Sequence, residues 1–309
     1  MKNVYFYSVL ALAAMLFASC NKVEQFDDKP EVLPDGRVEV LFGASGGGSL
    51  DVTEITRASW NTSYDGHIGI FAFNEDGTEI FDGYSNMEYA AYHNNTSGWR
   101  FTSYGDGIYY SADESVRVKF LAYYPYQENL ENGNVYKVDL TQNYRDTEQL
   151  LWTDMSAESY NKTSDVVNLE MQNKYSIIRI LLRNGGGYDS DDVNGATLTI
   201  SDMPLKADFN LYTGEMTVTE TGDLTFSDLG VSAGYYIYVV PTAAAADRAV
   251  TVTLANGDTY VWEIGDKAFD EGYFYEYHLR LNKTESSFYF TIEDQLMDVM
   301  GPYDNIDLY

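Results

Sequence analysis

The residues best able to do chemistry in this 309-residue chain are three histidines and a large set of carboxylates, 48 against 19 basic residues. His67, His93 and His278 stand far apart, and none sits in a metal-binding or triad spacing. Each reads as a strand-face or loop residue. Asp189, Asp191 and Asp192, ahead of Asn194 and Gly195, have the outline of a calcium loop. Its glycine comes one place late, and Ile200 holds the twelfth position where a bidentate glutamate is needed, so a solvated turn is the better reading. The glycine runs 46–48 and 185–187 lead into no helix pattern, which argues against a phosphate cradle. Two carboxylates could meet in space for glycoside hydrolysis, yet no pair is singled out by the sequence. These residues point to a non-enzymatic protein with no cofactor and no metal.

The remaining reactive group is Cys20, the single cysteine. Lys2 is the only charge before it, residues 4–17 form an apolar run, and Ala18 and Ser19 precede the thiol. A basic start, a short apolar core and small residues are the layout of a secretory signal. The run is shorter than the roughly 20 residues a spanning helix needs. The segment resembles the lipobox of bacterial lipoproteins, in which the cysteine is acylated and becomes the first residue. Phe17 replaces the leucine usual three places before the cysteine, with Leu16 beside it. The expectation is a signal peptide over 1–19 and lipidation at Cys20. Three acyl chains exceed what stable anchoring requires. Asn21 after the cysteine, by resemblance to lipoprotein sorting rules, implies the outer membrane. A lone cysteine excludes an internal disulfide, so the rest of the chain must hold through its core.

The formal net charge of -29 excludes nucleic acid as a partner, since its phosphates need a positive surface. The acid is scattered along the chain, so disorder is not implied. Instead 28 Tyr, 15 Phe and 4 Trp give the aromatic content of pleated, half-buried strands. Residues 20–37 are polar and read as a tether. Residues 38–42 read as a first strand, followed by the flexible run 43–49. Further strands are expected at 67–73, 116–124, 176–182, 196–200, 206–212, 235–240, 273–281 and 288–292, by alternation or short apolar runs bounded by turn residues. Asn256-Gly257 between the alternating segments 250–255 and 258–264 predicts a type I′ hairpin. No segment past the leader has a helical period. The chain therefore reads as all-β, with two β-sandwiches over 38–160 and 161–309.

Several segments in order resemble the fimbrillin family, also called Mfa-like proteins or type V pilins. They are Ser19-Cys20; Thr56-Arg57-Ala58 shortly before Trp60; Asp65-Gly66-His67-Ile68-Gly69-Ile70-Phe71; Ala122-Tyr123-Tyr124-Pro125-Tyr126; Ala207-Asp208-Phe209-Asn210-Leu211-Tyr212-Thr213-Gly214; and the closing strands. Asp65-Gly66 inverts the family's usual glycine-aspartate order, and Gln295 stands where many members have tryptophan. The resemblance implies two tandem transthyretin-like β-sandwiches and assembly into a pilus. It implies a lipidated precursor cut by an arginine-specific protease between Arg57 and Ala58. It implies that the strand carrying Val38, Val40 and Phe42 leaves with that cut, so that a strand from another pilin subunit fills the vacated place. The implied location is the outer membrane, then the fimbrium, with adhesion as the role.

The alternative reading is a surface glycan-binding lipoprotein whose tryptophans, Trp60, Trp99, Trp152 and Trp262, offer stacking platforms. Burial is the commoner use of aromatic residues in sandwiches, and Trp262 falls within a predicted hairpin.

Overall fold

Strands β3 (His67–Asn74) and β7 (Val118–Tyr124) lie antiparallel at the centre of the largest sheet. Almost every residue of both is buried; the alternation at 116–124 predicts one buried face, but β7 buries both, with Lys119 its one partly exposed residue. Ile68, Ile70, Ala72, Val118, Phe120 and Ala122 face one core. Phe71, Phe73, Leu121 and Tyr123, on the opposite face, belong to a second. The computed structural model describes residues 29–44, 66–94, 98–141, 149–155, 158–230, 235–283 and 288–298. Residues from Val32 onward form one compact unit, and Met1–Glu31 falls outside it.

Around β3 and β7 are β1 (Val38–Glu39), β2 (Phe42–Ala44), β4 (Met87–Asn94), β5 (Gly98–Ser103), β6 (Tyr109–Tyr110), β8 (Val135–Asp139), β9 (Leu151–Trp152), β10 (Val167–Asn168) and β11 (Gln172–Asn173). The eight-stranded sheet runs β10-β2-β5-β4-β3-β7-β9-β11, and β1 pairs with β6. The two edge strands are separated by residues 169–171 alone. At roughly 3.3–3.6 Å per residue, that short span forces the two edges together and curls the sheet around its core. Leu169 and Met171 of this connecting strap are buried in that core.

The second half holds β12 (Ser176–Asn184), a one-turn helix α1 (Ser190–Val193), β13 (Ala196–Asn210), β14 (Glu215–Leu229), β15 (Tyr235–Val239), β16 (Ala249–Thr253), β17 (Thr259–Glu263), β18 (Phe274–Lys283) and β19 (Phe288–Asp298). One sheet runs β15-β12-β18-β19 and the other β14-β13-β16-β17, with β8 also pairing β13. The fold is all-β, as the sequence predicts. The expected strands at 196–200 and 206–212 are one bulged 15-residue strand, β13. The acidic turn is the N-terminus of α1, where the Asp189 side chain accepts from the Asp191 and Asp192 amides and Asp192 returns the bond.

The hairpin β16–β17 differs from expectation. Gly257 has φ 91° whereas Asn256 stays out of the positive region. The Gly257 amide donates to the Leu254 carbonyl and the Leu254 amide to that of Asp258. The turn is thus a three-residue loop closed by a glycine bulge instead of a type I′ pair, and the same Asn-Gly dipeptide serves both.

The glycine run 185–187 serves close packing. A Cβ on Gly185 would lie 2.5 Å from the Leu281 carbonyl oxygen of β18. Beside it, the Tyr188 hydroxyl donates to Asp258 at 2.7 Å, with Lys283 at 3.3 Å. The Tyr188 bond holds the Asp258 carboxyl below the ordinary aspartate range. A depressed folded pKa means that the stabilisation is complete above about pH 4 and is lost as pH falls through the lower folded value. The variant Asp258→Asn is therefore expected to be less stable than the parent at neutral pH, with the gap closing in acid. Denaturant midpoints measured from pH 7 down to about pH 2.5 check this, and a gap that is constant with pH contradicts it.

Candidate assembly site

The segment predicted to be exchanged is two short strands broken at Val40 and Leu41, because its ends pair with different partners. Val38 and Glu39 pair with Tyr110 and Tyr109. Phe42 pairs with Phe101 of β5 on one side and, in parallel, with Val167 of β10 on the other. β2 is consequently an inner strand of the sheet. Three backbone bonds, each 2.8 Å, seat it: Val40 amide to Ile108 carbonyl, Val167 amide to Leu41 carbonyl, and Leu169 amide to Gly43 carbonyl.

Its side chains go into the core as a period of two requires. Val38 is half-buried, while Val40 and Phe42 are 2% and 1% exposed. The Phe42 ring meets the edges of Tyr89 at 5.3 Å and Phe120 at 5.0 Å, with interplanar angles of 81° and 90°. The Tyr89 hydroxyl accepts the Ile108 amide at 2.8 Å, and burial raises its pKa, so it stays a neutral wall of the site. A groove emptied of residues 38–44 would expose an apolar floor and two rows of backbone partners. Cys20, Arg57, Ala58 and Trp60 lie outside the described residues. Arg57 falls between β2 and β3, after the groove-filling strand and before the rest of the sheet.

Other candidate residues are placed elsewhere. The His67 ring bonds the Glu88 carboxylate and lies 5.1 Å from the Tyr104 ring. His278 reaches Glu276 at 2.7 Å, and the same carboxylate group holds Arg179 at 2.7 Å. The side chains of His93 and Trp99 are outside the described set. No group of three metal-capable side chains occurs among the described residues. Trp262 packs edge-on to Tyr277 at 5.0 Å.

Trp152 is no surface platform. It is 7% exposed, its Nε1 donates to the Leu211 carbonyl at 2.7 Å, and its ring meets Phe209 at 6.1 Å. Gly214, at φ 72°, leaves room beneath it, since a Cβ there would lie 2.7 Å from the indole. The Lys174 ammonium stands 5.0 Å above the indole and pairs with Glu271. With Phe71 and Phe73 packed edge-on against Tyr212 at 5.5 and 5.1 Å, this cluster ties the outer face of the eight-stranded sheet to the β13–β14 turn. Sequence reasoning did not find this junction or β10, because both depend on pairings between residues distant in the chain.

A family model described as fimbrillin-like matches residues 56–294. The chain belongs to the fimbrillin-like family. This fimbrillin-like chain is 31% identical over 294 residues to a protein of Bacteroides uniformis provisionally named fimbrium subunit Fim1C, covering 92% of each chain. A crystal structure from B. uniformis, of a protein provisionally described as a cell adhesion protein, aligns with TM-score 0.65 and 28% identity over 84% of this chain and 99% of that one. A second, from Bacteroides ovatus, shares the fold at TM-score 0.61 and 17% identity over 85% and 98% of the two chains. Fimbrillins are fimbrial structural subunits, and the family is not one of enzymes. Among the described residues, no helix is long and apolar enough to cross a membrane.

Proposed function

We propose that this protein is a subunit of a surface fimbrium that supports adhesion. It is exported as a lipoprotein acylated at Cys20, cut between Arg57 and Ala58 by an arginine-specific protease, and assembled by exchange of a strand between subunits. Family membership supports the fimbrial role. The observation that carries the mechanism is the seating of β2. The inner strand β2, with Phe42 and the preceding Val40 buried, stands upstream of Arg57, so one cut there severs its covalent link to the sheet it completes.

An incoming strand regains what β2 gave by β-augmentation. It must put a large apolar side chain between Tyr89 and Phe120 and a branched aliphatic one at the Val40 position. Until then the native segment keeps the precursor from self-association. The division into lobes at about residue 160 belongs to the same reading, with β8 and the strap 167–173 crossing between them.

The test uses purified full-length protein incubated with an arginine-specific protease. Cutting after Arg57 should release the N-terminal fragment and convert monomer into a multimer ladder on size-exclusion chromatography. Protein that is cut there, loses the fragment and remains monomeric refutes the exchange.

A further inference from the structure

Strap 167–173 belongs to two sites at once. Its first end, β10, pairs with β2 and with no other strand among the described residues. Leu169 and Met171 then enter the core that holds Phe42. Its far end, β11, pairs with β9, matching Gln172 to Trp152 and Asn173 to Leu151. The next residue, Lys174, donates its amide to the Leu150 carbonyl at 2.8 Å and carries its ammonium over Trp152 and, at 5.6 Å, over Phe209. Tyr175 accepts the Gly272 amide at 3.0 Å, and the Ser176 hydroxyl donates to the Asp270 carbonyl at 2.5 Å. Within about ten residues the chain passes from the groove wall to the junction between the sheets.

We propose that the strap couples filling of the β2 position to the packing of Trp152 and Lys174, so that a subunit with an empty groove is loose at this junction and a filled one is locked. The exchange reading supplies only the event that empties the groove. The coupling itself is a property of the single chain. Removing β2 takes the backbone partners of Val167 and Leu169 and uncovers Leu169. The strap then gains conformational entropy, and holding Lys174 over the indole opposes that gain. Coupling of this kind is reciprocal, so loosening the junction also loosens β2. A polymerising subunit would thereby stiffen only after its neighbour's strand arrives.

Hydrogen exchange read by mass spectrometry on the full-length chain tests this. Phe42→Ala, with Phe42→Val as the milder variant, underfills the groove. Ile70→Ala opens the same core from β3, which has no backbone pairing with the strap. The reporters are the Lys174 and Gly272 amides, which Phe42 does not touch. Both are expected to exchange about tenfold faster in Phe42→Ala and less so in Phe42→Val. Ile70→Ala, compared under conditions of equal global stability, should leave them at the parent rate. In the reciprocal arm, Trp152→Phe should speed exchange at the Val40 amide. Equal acceleration by Ile70→Ala, or loosened β2 and β10 amides with unchanged reporters, overturns the coupling. A chain that shows the coupling yet stays monomeric after cleavage at Arg57 loses only the exchange reading, and the reverse result loses only the coupling.

Discussion

Trp152→Ala is expected to destabilise the protein by about 3–5 kcal/mol, the range for removing a buried tryptophan. Three separate losses add at this position. The indole leaves a void among Phe209, Gly214 and Lys174, the neighbours that its ring packs against. The Leu211 carbonyl loses its donor, at a cost of about 1–3 kcal/mol for a buried group left unpaired. The Lys174 side chain, itself 5% exposed as a residue, keeps Glu271 but loses the ring face beneath its charge. Trp152→Phe retains most of the apolar area and should lose only the hydrogen-bond share. Urea midpoints for the three proteins measure this. If Trp152 served as an exposed sugar platform, alanine would shift stability by no more than about 0.5 kcal/mol, and that result would refute the buried junction.

Arg57→Gln should abolish polymer formation while leaving folding untouched. The substitution removes the recognition side chain from a segment between β2 and β3 and alters neither strand. β2 then stays covalently attached, and an attached strand competes with any incoming one at an effective concentration in the millimolar range or higher. Fimbriae recovered from cells carrying the variant should lack this subunit in their ladder, and the protein should accumulate as lipidated monomer. Wild-type levels of multimer in the variant would mean that the strand is displaced without cleavage, or that assembly uses another surface.

How much of this was legible in the sequence depended on whether the signal was local. β3 stood out as an apolar run because both its faces are buried, and β7 through the alternation at 116–120, although its second face proves buried too. β14 was missed because it is an edge strand whose residues 215–223 are mostly exposed, so Thr217, Thr219 and Glu220 carry no apolar alternation. β4 and β5 mix aromatic, small and polar residues and give no clean period of two. The break at Val40 and Leu41 follows from pairing with β6 on one side of it and with β5 and β10 on the other, and no property of the five residues encodes that change of partner. The Val40 and Phe42 side of the candidate site was readable as a strand. Its other wall, Val167, comes from a two-residue parallel pair more than a hundred positions away. Trp152 looked available for ligands because its neighbours Phe209, Leu211 and Gly214 belong to the distant end of β13 and the turn after it. The processing and lipid residues, Arg57 and Cys20, rest on sequence alone.

In this reading the strand carrying Val40 and Phe42 is released by a cut and replaced by a neighbour's. N-terminal sequencing of the protein recovered from the surface of its native cells tests it most directly. A start at Ala58 is expected, in material that runs as a ladder of multimers. A blocked, lipidated Cys20 start in multimeric material would contradict it, because the groove would then still hold its own strand.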